Sequence, residues 1–150
     1  MGTGLLYFDD LRIGDTYASG THEVTRDDIK RFANEFDPQP FHLDEEAARD
    51  TLFGGLAASG WHTAAITMRL LVTGGPKLAN GIVGVGGEVA WPMPTRPGDV
   101  LRVDSEVADL IPSKSRPDRG LVVLRSRTSN QRGDVVQTLT AKLMVPRRTV

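Results

Sequence analysis

Two side chains able to exchange protons, Asp37 and His42, lie five residues apart in one short segment of the chain. Pro38 and Pro40 fix φ and remove backbone donors, which favours a stiff, extended loop over a helix. A carboxylate and an imidazole on one rigid loop can converge on a small polar species such as water, and together accept one proton and donate another. The alternative is structural, with Asp37 capping a turn and His42 filling a surface niche. Spacing alone leaves both interpretations open.

A second chemical feature is the pair Ser59-Gly60, which opens an apolar helix predicted over about residues 60–72. The Gly60 N–H is among the first unpaired donors of that helix and is supported by the helix dipole. A carbonyl oxygen placed there would meet an oxyanion-hole donor, and glycine permits a close approach that a Cβ would block. The alternative is that Gly60 only packs tightly against the sheet or against another chain.

The elements that must position these groups are predicted to be helical in the first half of the chain. After a strand over Thr16–Val24, Thr25 is expected to cap a helix that ends at Asp37, because Pro38 disfavours helical geometry in the residue before it. The apolar positions of this helix recur at helical spacing: Ile29, Phe32, Ala33 and Phe36. A short helix is expected over Asp44–Leu52. The helix at 60–72 is apolar on more than one face and should be largely enclosed.

The second half of the chain is predicted to be strand-rich, because apolar and polar residues alternate from Gly81 onward. Val83, Val85, Val89 and Trp91 share one face of the first strand, and Val103 and Val107 share one face of the next. Two further strands are expected over Leu121–Thr128 and Val135–Val145. Short turns at 96–99 and 131–134 favour antiparallel pairing. A sheet wrapped around a single central helix satisfies this order.

The composition limits the classes of function. The chain has 150 residues, 18 Lys and Arg against 19 Asp and Glu, a formal net charge of −1 and no cysteine. One domain over residues 1–150 suits this length, and the balanced charge gives no reason to expect nucleic acid. Without cysteine there is no disulfide framework, thiol nucleophile or thiolate metal site. No apolar stretch approaches the roughly 18 residues of a membrane span, and Met1–Asp10 lacks the basic region of a secretory signal, so a cytoplasmic protein is expected.

The residues around these groups, taken together, resemble one family. The order Asp37-x-Gln-Pro-x-His42-x-Asp44, followed by Phe-Gly-Gly and then by Ser59-Gly60, is similar to the motif of the MaoC-like acyl dehydratases, also called (R)-specific enoyl-CoA hydratases. The turn Arg96-Pro-Gly-Asp-Val100 also resembles this family, so the likeness covers nearly the whole chain. It implies an α+β fold, a single hotdog domain in which an antiparallel sheet wraps around the helix at 60–72. It also implies a homodimer or an assembly of dimers.

The activity that the resemblance implies is reversible addition of water across the 2,3 double bond of a trans-2-enoyl thioester, giving the (R)-3-hydroxyacyl product. The acyl group would be carried by CoA or by acyl carrier protein, and no cofactor or metal is expected. Asp37 and His42 would hold the water and exchange protons with it and with C2. The Gly60 N–H would bind the thioester carbonyl as enolate charge develops. Which of the two side chains is the base stays open, because the pair would titrate together.

Four residues near these groups are expected to contact the substrate: Gln39, Ser59, Trp61 and His62. Gln39 stands where the family usually has Asn and keeps the same amide chemistry. Ser59 stands where many members have His, which changes the polarity at the pocket mouth. The depth of the substrate pocket depends in part on how the Trp61 side chain packs. His62 either touches the acyl chain or the water, or is a hydrogen-bonded core residue, and the second reading is favoured.

Two other functions fit a hotdog domain. A thioesterase usually places an acid on or beside the central helix, and residues 60–72 contain none. A non-catalytic acyl-thioester-binding subunit is expected to lack the Asp/His pair, which is intact here. A metal site made of Asp37, His42 and Asp44 would lack a fourth ligand. The hydratase is therefore the leading hypothesis, with the thioesterase behind it.

Overall fold

Helices occupy the first half of the chain and strands the second, in the computed structural model that describes residues 4–148. The helices are α1 (Arg26–Phe36), α2 (Pro40–Leu43), α3 (Glu45–Arg49) and α4 (Gly60–Gly74), after a short 3₁₀ helix at Phe8–Asp10. The strands are β1 (Thr16–Glu23), β2 (Gly84–Ala90), β3 (Val100–Pro112), β4 (Arg119–Ser129) and β5 (Val135–Pro146). The predicted order of one strand, then helices, then four strands is confirmed.

The five strands form one antiparallel sheet in the order β1-β3-β4-β5-β2. The long central strands β3, β4 and β5 present alternate residues to one face, where α4 packs across the sheet. Val103 and Val107 lie on that buried face, as their alternation predicts. The core joins the two layers through Ile66, Leu70 and Leu124, among others. This is the hotdog architecture, an α+β fold built around a central helix.

Helix α1 forms for the local reasons that its sequence shows. The Thr25 side chain accepts a hydrogen bond from the Asp28 N–H at 3.1 Å, which caps the first turn. Ile29 and Ala33 are fully buried, whereas Phe36, at the end of the apolar stripe, is 69% exposed. The helix ends there, and Asp37 becomes its C-cap residue. Asp44 caps α3 in the same way, by accepting from two backbone N–H groups.

The central helix is less enclosed than its sequence predicts. One face is buried against the sheet, and the other leaves Trp61, Met68 and Val72 exposed. The expectation of a largely enclosed helix is therefore wrong for this face. The physical reason is that a single sheet covers only one side of α4. The neighbouring strand β2 lies at the sheet edge, and its own Val85 is exposed as well. Within residues 4–148 no helix has the length and apolar character needed to span a membrane.

Candidate active site

The segment that carries Asp37 and His42 is a tight turn followed by a short helix. Pro38 stops α1, and Pro40 then occupies the first position of α2, where a missing N–H costs nothing and the fixed φ suits a helix. The His42 N–H donates to the Gln39 carbonyl at 3.0 Å. The prediction of an extended loop is thus wrong for Pro40–Leu43, because proline at the start of a helix favours that helix. The rigidity that was expected of the segment remains.

This turn brings the two proton-exchanging groups together. His42 Nε2 lies 3.3 Å from Asp37 Oδ2. The His42 ring is buried, with only 4% of the residue exposed, and it contacts the rings of Phe41 and Phe53. Its Nδ1 lies 2.6 Å from the carbonyl oxygen of Ala57. Because a carbonyl can only accept, this contact requires a proton on Nδ1 and leaves Nε2 as the atom that faces the carboxylate.

The Asp37 carboxylate is held by neighbours on two sides. Gln39 Nε2 donates to Asp37 Oδ1 at 2.5 Å, and the Ser59 side chain lies close enough to the carboxylate to lower its pKa. Partial burial raises the pKa of Asp37, but the side chains of Gln39 and Ser59 outweigh it by hydrogen bonding and the pKa is lowered overall. Asp37 is therefore ionised at neutral pH and can accept a hydrogen bond from a water.

The amino end of α4 lies beside this carboxylate, because Ser59 links the two. Ser59 has no exposed surface and is the N-cap of α4, where its Oγ accepts from the Trp61 N–H at 3.2 Å. Its carbonyl accepts from the His62 and Thr63 N–H groups. The Gly60 N–H has no acceptor in the part of the chain that the structure describes. An unpaired donor at the positive end of a 15-residue helix can bind a carbonyl oxygen.

Two tryptophans flank Gly60 on its outer side. Trp61 is 60% exposed and meets Trp91 edge-on, with ring centroids 5.2 Å apart. Trp91 packs directly on Gly60. Its Nε1 donates to the Oε1 of buried Gln137 at 2.9 Å, which fixes the indole in place. The two indole rings therefore form an aromatic surface beside the unpaired Gly60 N–H.

His62 points away from this group. Its ring stacks on Phe32, with centroids 4.7 Å apart and planes 6° from parallel. It lines a separate cavity of about 270 Å³ with His22, Asp28 and Glu35. Its Nδ1 is buried and has no hydrogen-bond partner among residues 4–148. The expectation of a hydrogen-bonded core histidine is therefore wrong at Nδ1, although the residue is in the core.

Two contributions to this site were not predicted. The Ala57 carbonyl orients His42, and a backbone atom leaves no signature in residue type. Arg96 donates to carbonyls of the loop that carries Ala57, and its place in a turn gives no signal of this contact. The structure thus brings together Asp37, Gln39, His42 and Ser59-Gly60. It leaves Trp61 at the exposed edge.

Other surface features lack comparable chemistry. A cavity of about 510 Å³ lies between β1, β3 and β4. Its carboxylates are already paired, Asp104 with Arg102 at 2.9 Å and Glu106 with Arg125 at 3.9 Å. Among the described residues no group of three or more His, Cys, Asp or Glu side chains is arranged to hold a metal ion.

Comparison with known proteins identifies the family. The MaoC like domain family matches residues 11–127. A MaoC-like dehydratase structure from Rhodospirillum rubrum is 63% identical, with a TM-score of 0.94 and coverage of 97% of this chain and 99% of that one. A 3-hydroxybutyryl-CoA dehydratase of Methylorubrum extorquens is 36% identical over 113 residues, 75% of this chain and 70% of its own. An (R)-specific enoyl-CoA hydratase of Rhodospirillum rubrum is 31% identical over 145 residues, 96% of this chain and 94% of its own. The chain belongs to the MaoC-like dehydratase family.

Proposed function

We propose that this protein is a hydro-lyase that adds water to, or removes it from, the 2,3 position of an acyl thioester. The observation that carries the proposal is the contact between Asp37 Oδ2 and His42 Nε2 at 3.3 Å, at the amino end of α4. Relatives named 3-hydroxybutyryl-CoA dehydratase and (R)-specific enoyl-CoA hydratase support the class of reaction. We infer from the same names that the substrate is a trans-2-enoyl thioester of CoA, with acyl carrier protein as the alternative carrier.

The chemistry follows from the roles that these groups can take. In hydration, the water oxygen bonds to C3 while C2 takes up a proton, and the π electrons pass transiently onto the thioester oxygen. Asp37 and His42 hold the water, remove one of its protons and return a proton to C2. The Gly60 N–H binds the oxygen on which enolate charge develops. Dehydration runs the same steps in reverse, and the proton balance closes without a cofactor.

The substrate contacts follow from the same arrangement. Gln39 and Ser59 act through Asp37, to which Gln39 donates a hydrogen bond and whose pKa both side chains lower. Trp61 offers an exposed aromatic surface beside Gly60, where part of the thioester can pack. His62, the fourth residue expected to contact the substrate, stacks on Phe32 and lines a separate cavity, so we do not include it among the contacts of a thioester bound beside Gly60.

A homodimer is part of this proposal. Strand β2 is an edge strand with unpaired backbone groups on one side, a ready surface for a second sheet. The exposed apolar face of α4 continues into its flanks, since Trp61 contacts Trp91 and Val72 lines a cavity with Ile82. Pairing two copies through β2 would cover these side chains.

We also propose that the protein is cytoplasmic, as its sequence leads us to expect.

A thioesterase is the competing function, since hydrolysis of the same substrate also needs an activated water. The distinction lies in which carbon the water attacks. In α4 no carboxylate is present to activate water at the thioester carbonyl. Asp37 can serve either reaction in principle, so the products must be measured.

The test is a two-product assay on the pure protein with trans-2-enoyl-CoAs of several chain lengths. We expect loss of the conjugated double bond without release of free thiol, and formation of the (R)-3-hydroxy product. Asp37→Asn should abolish this signal, whereas Asp27→Asn, which changes an exposed acid in the first turn of α1, should retain it. Release of thiol would establish the thioesterase instead. Absence of both signals on every substrate would refute the hydratase on this panel.

A further inference from the structure

Arg96 reaches from the turn before β3 into the loop between α3 and α4. Its guanidinium donates to three backbone carbonyls of that loop, those of Phe53, Gly55 and Leu56, the last two at 3.0 and 3.2 Å. Among residues 4–148 it forms no ion pair with a carboxylate. Its charge is therefore directed entirely at the negative ends of peptide dipoles.

The loop that Arg96 holds is the one that orients His42. Ala57 follows Leu56 directly, and its carbonyl lies 2.6 Å from His42 Nδ1. The Ala57 N–H donates to the Phe41 carbonyl at 3.1 Å, and the Ala58 N–H donates to the Thr95 carbonyl at 2.9 Å. Hydrogen bonds therefore hold the loop to α2 on one side and to the Thr95-Arg96 segment on the other.

Arg96 is itself fixed before it reaches the loop. Its backbone N–H donates to Asp99 Oδ2 at 2.9 Å, and Asp99 is buried. The turn between them requires glycine at position 98, where φ is +88°. A rigid turn therefore projects a planar group with several donors at a loop that has no helix or strand of its own.

We propose that Arg96 is a positioning residue for His42, acting through the backbone of residues 53–57. The inference rests on the proposed function in that His42 is taken as part of the proton-exchanging pair. By holding the Ala57 carbonyl against Nδ1, Arg96 selects the tautomer in which Nδ1 carries the proton and Nε2 faces Asp37. Arg96 does not touch the substrate in this scheme, so its loss should reduce turnover and leave substrate binding nearly unchanged.

Arginine suits this task in a way that other residues do not. Three carbonyls at different positions along a loop need several donors held in one plane, and guanidinium supplies five. Lysine keeps the charge but presents a single ammonium group on a flexible stem, so Arg96→Lys should recover only part of the function. A methionine of similar length keeps the apolar packing and removes every donor.

The test compares Arg96→Met and Arg96→Lys with Arg147→Met. Arg147 pairs with Asp9 at 3.0 Å and lies over the Phe8 ring, so its loss removes a guanidinium whose partners do not belong to the candidate site. With trans-2-enoyl-CoA, we expect Arg96→Met to lower kcat about 10- to 100-fold while KM changes less than about threefold, since misplacing a catalytic group costs rate more than binding. Arg147→Met should keep the kcat of the parent protein. Arg96→Lys should lie between Arg96→Met and the parent, and it replaces Arg96→Met in every comparison if that variant does not fold.

A second readout is independent of activity. Long-range ¹H–¹⁵N correlation spectra at about pH 8, where a free imidazole is neutral, distinguish the two tautomers of each histidine, and His42→Gln identifies the His42 signals. We expect one tautomer, protonated at Nδ1, in the parent and a mixture in Arg96→Met. If the parent has no hydratase activity but Arg96→Met changes the tautomer, the positioning role stands and the proposed function fails. An unchanged tautomer together with kcat within about threefold of the parent would overturn the proposal.

Discussion

The indole ring of Trp91 occupies the space in which a side chain on Gly60 would lie. A Cβ on Gly60 would be 2.7 Å from both Cδ2 and Cε2 of that ring. The ring cannot easily move aside, because its Nε1 donates to buried Gln137 and its edge meets Trp61. The structure therefore packs Gly60 tightly against Trp91, and a chemical role of its N–H stays a prediction. The two are compatible, since the packing uses the Cα side of Gly60 and leaves its N–H without an acceptor.

Gly60→Ala should consequently destabilise the fold. We expect a loss of roughly 1–3 kcal/mol in the free energy of unfolding, as is typical when an extra carbon is forced into a packed site. Urea denaturation followed by tryptophan fluorescence measures it. The control is Gly86→Ala on β2, where a Cβ would meet nothing within 4 Å. Gly60→Ala should cost less unfolding free energy in a protein that also carries Trp91→Ala. An equal loss with Trp91 present and with Trp91→Ala would contradict the packing explanation.

Ser59 joins the cap of α4 to the carboxylate of Asp37, so one substitution should have two effects. Ser59→Ala removes the acceptor of the Trp61 N–H, which should cost about 1 kcal/mol of unfolding free energy. It also removes a hydrogen bond that lowers the pKa of Asp37, so that pKa should rise. Carboxyl ¹³C NMR titration measures the shift. Ser59→Thr, which keeps the hydroxyl, is the matched control, and an unmoved Asp37 titration in Ser59→Ala would show that the hydrogen bond is unimportant.

The parts of the fold that sequence could predict are those set by local rules. The start of α1 at Thr25 and its end before Pro38 need only neighbouring residues. The face shared by Val103 and Val107 needs only the two-residue period of a strand. The exposed valine on β2 was not predicted, because whether a strand lies at a sheet edge depends on the order of strands in space, which periodicity does not encode.

The candidate site divides in the same way. Asp37 and His42 could be chosen from residue type and spacing, and the family motif fixed the pairing. The orientation of the His42 ring could not be predicted from residue type and spacing. It depends on the carbonyl of Ala57 and on Arg96, which is far from His42 along the chain. Such contacts are made by backbone atoms and across long sequence separations. The prediction of an extended loop fails at Pro40 because the ring that breaks the interior of a helix is well suited to its first position.

His42→Ala should separate the chemical role of the imidazole from its structural one. Removing the ring takes away one half of the proton-exchanging pair, so turnover should fall at least about 100-fold. It also leaves the Ala57 carbonyl without its buried partner, which should cost about 1–3 kcal/mol of unfolding free energy. Steady-state kinetics and urea denaturation measure the two losses. A variant that loses stability but keeps its turnover would remove His42 from the proposed mechanism.

His62 is a buried group whose titration should affect the free energy of unfolding. Burial lowers its pKa most strongly; the charge of Asp28 opposes this with a smaller effect, and the charges of His22 and Arg31 again lower the pKa. The ring stacks on Phe32, and Nδ1 has no partner among the described residues, so a proton added there would gain no hydrogen bond from the protein. The folded protein therefore holds His62 neutral at pH values where the unfolded chain already protonates it.

The consequence for pH dependence has a definite sign. Above the ordinary histidine pKa of about 6.5, both states have a neutral His62 and the group contributes nothing to the slope. As the pH falls below that value, the unfolded chain binds a proton that the folded protein does not, so the free energy of unfolding decreases until the lowered pKa is reached.

The variant His62→Leu removes this proton uptake by the unfolded chain. Urea denaturation at several values between about pH 8 and pH 5 should therefore show a shallower decline for His62→Leu than for the parent protein, the difference opening only below about pH 6.5. If the two curves of unfolding free energy against pH were parallel, the imidazole would be protonated as readily in the folded protein as in the unfolded chain. The packing of His62 against Phe32 argues against this result.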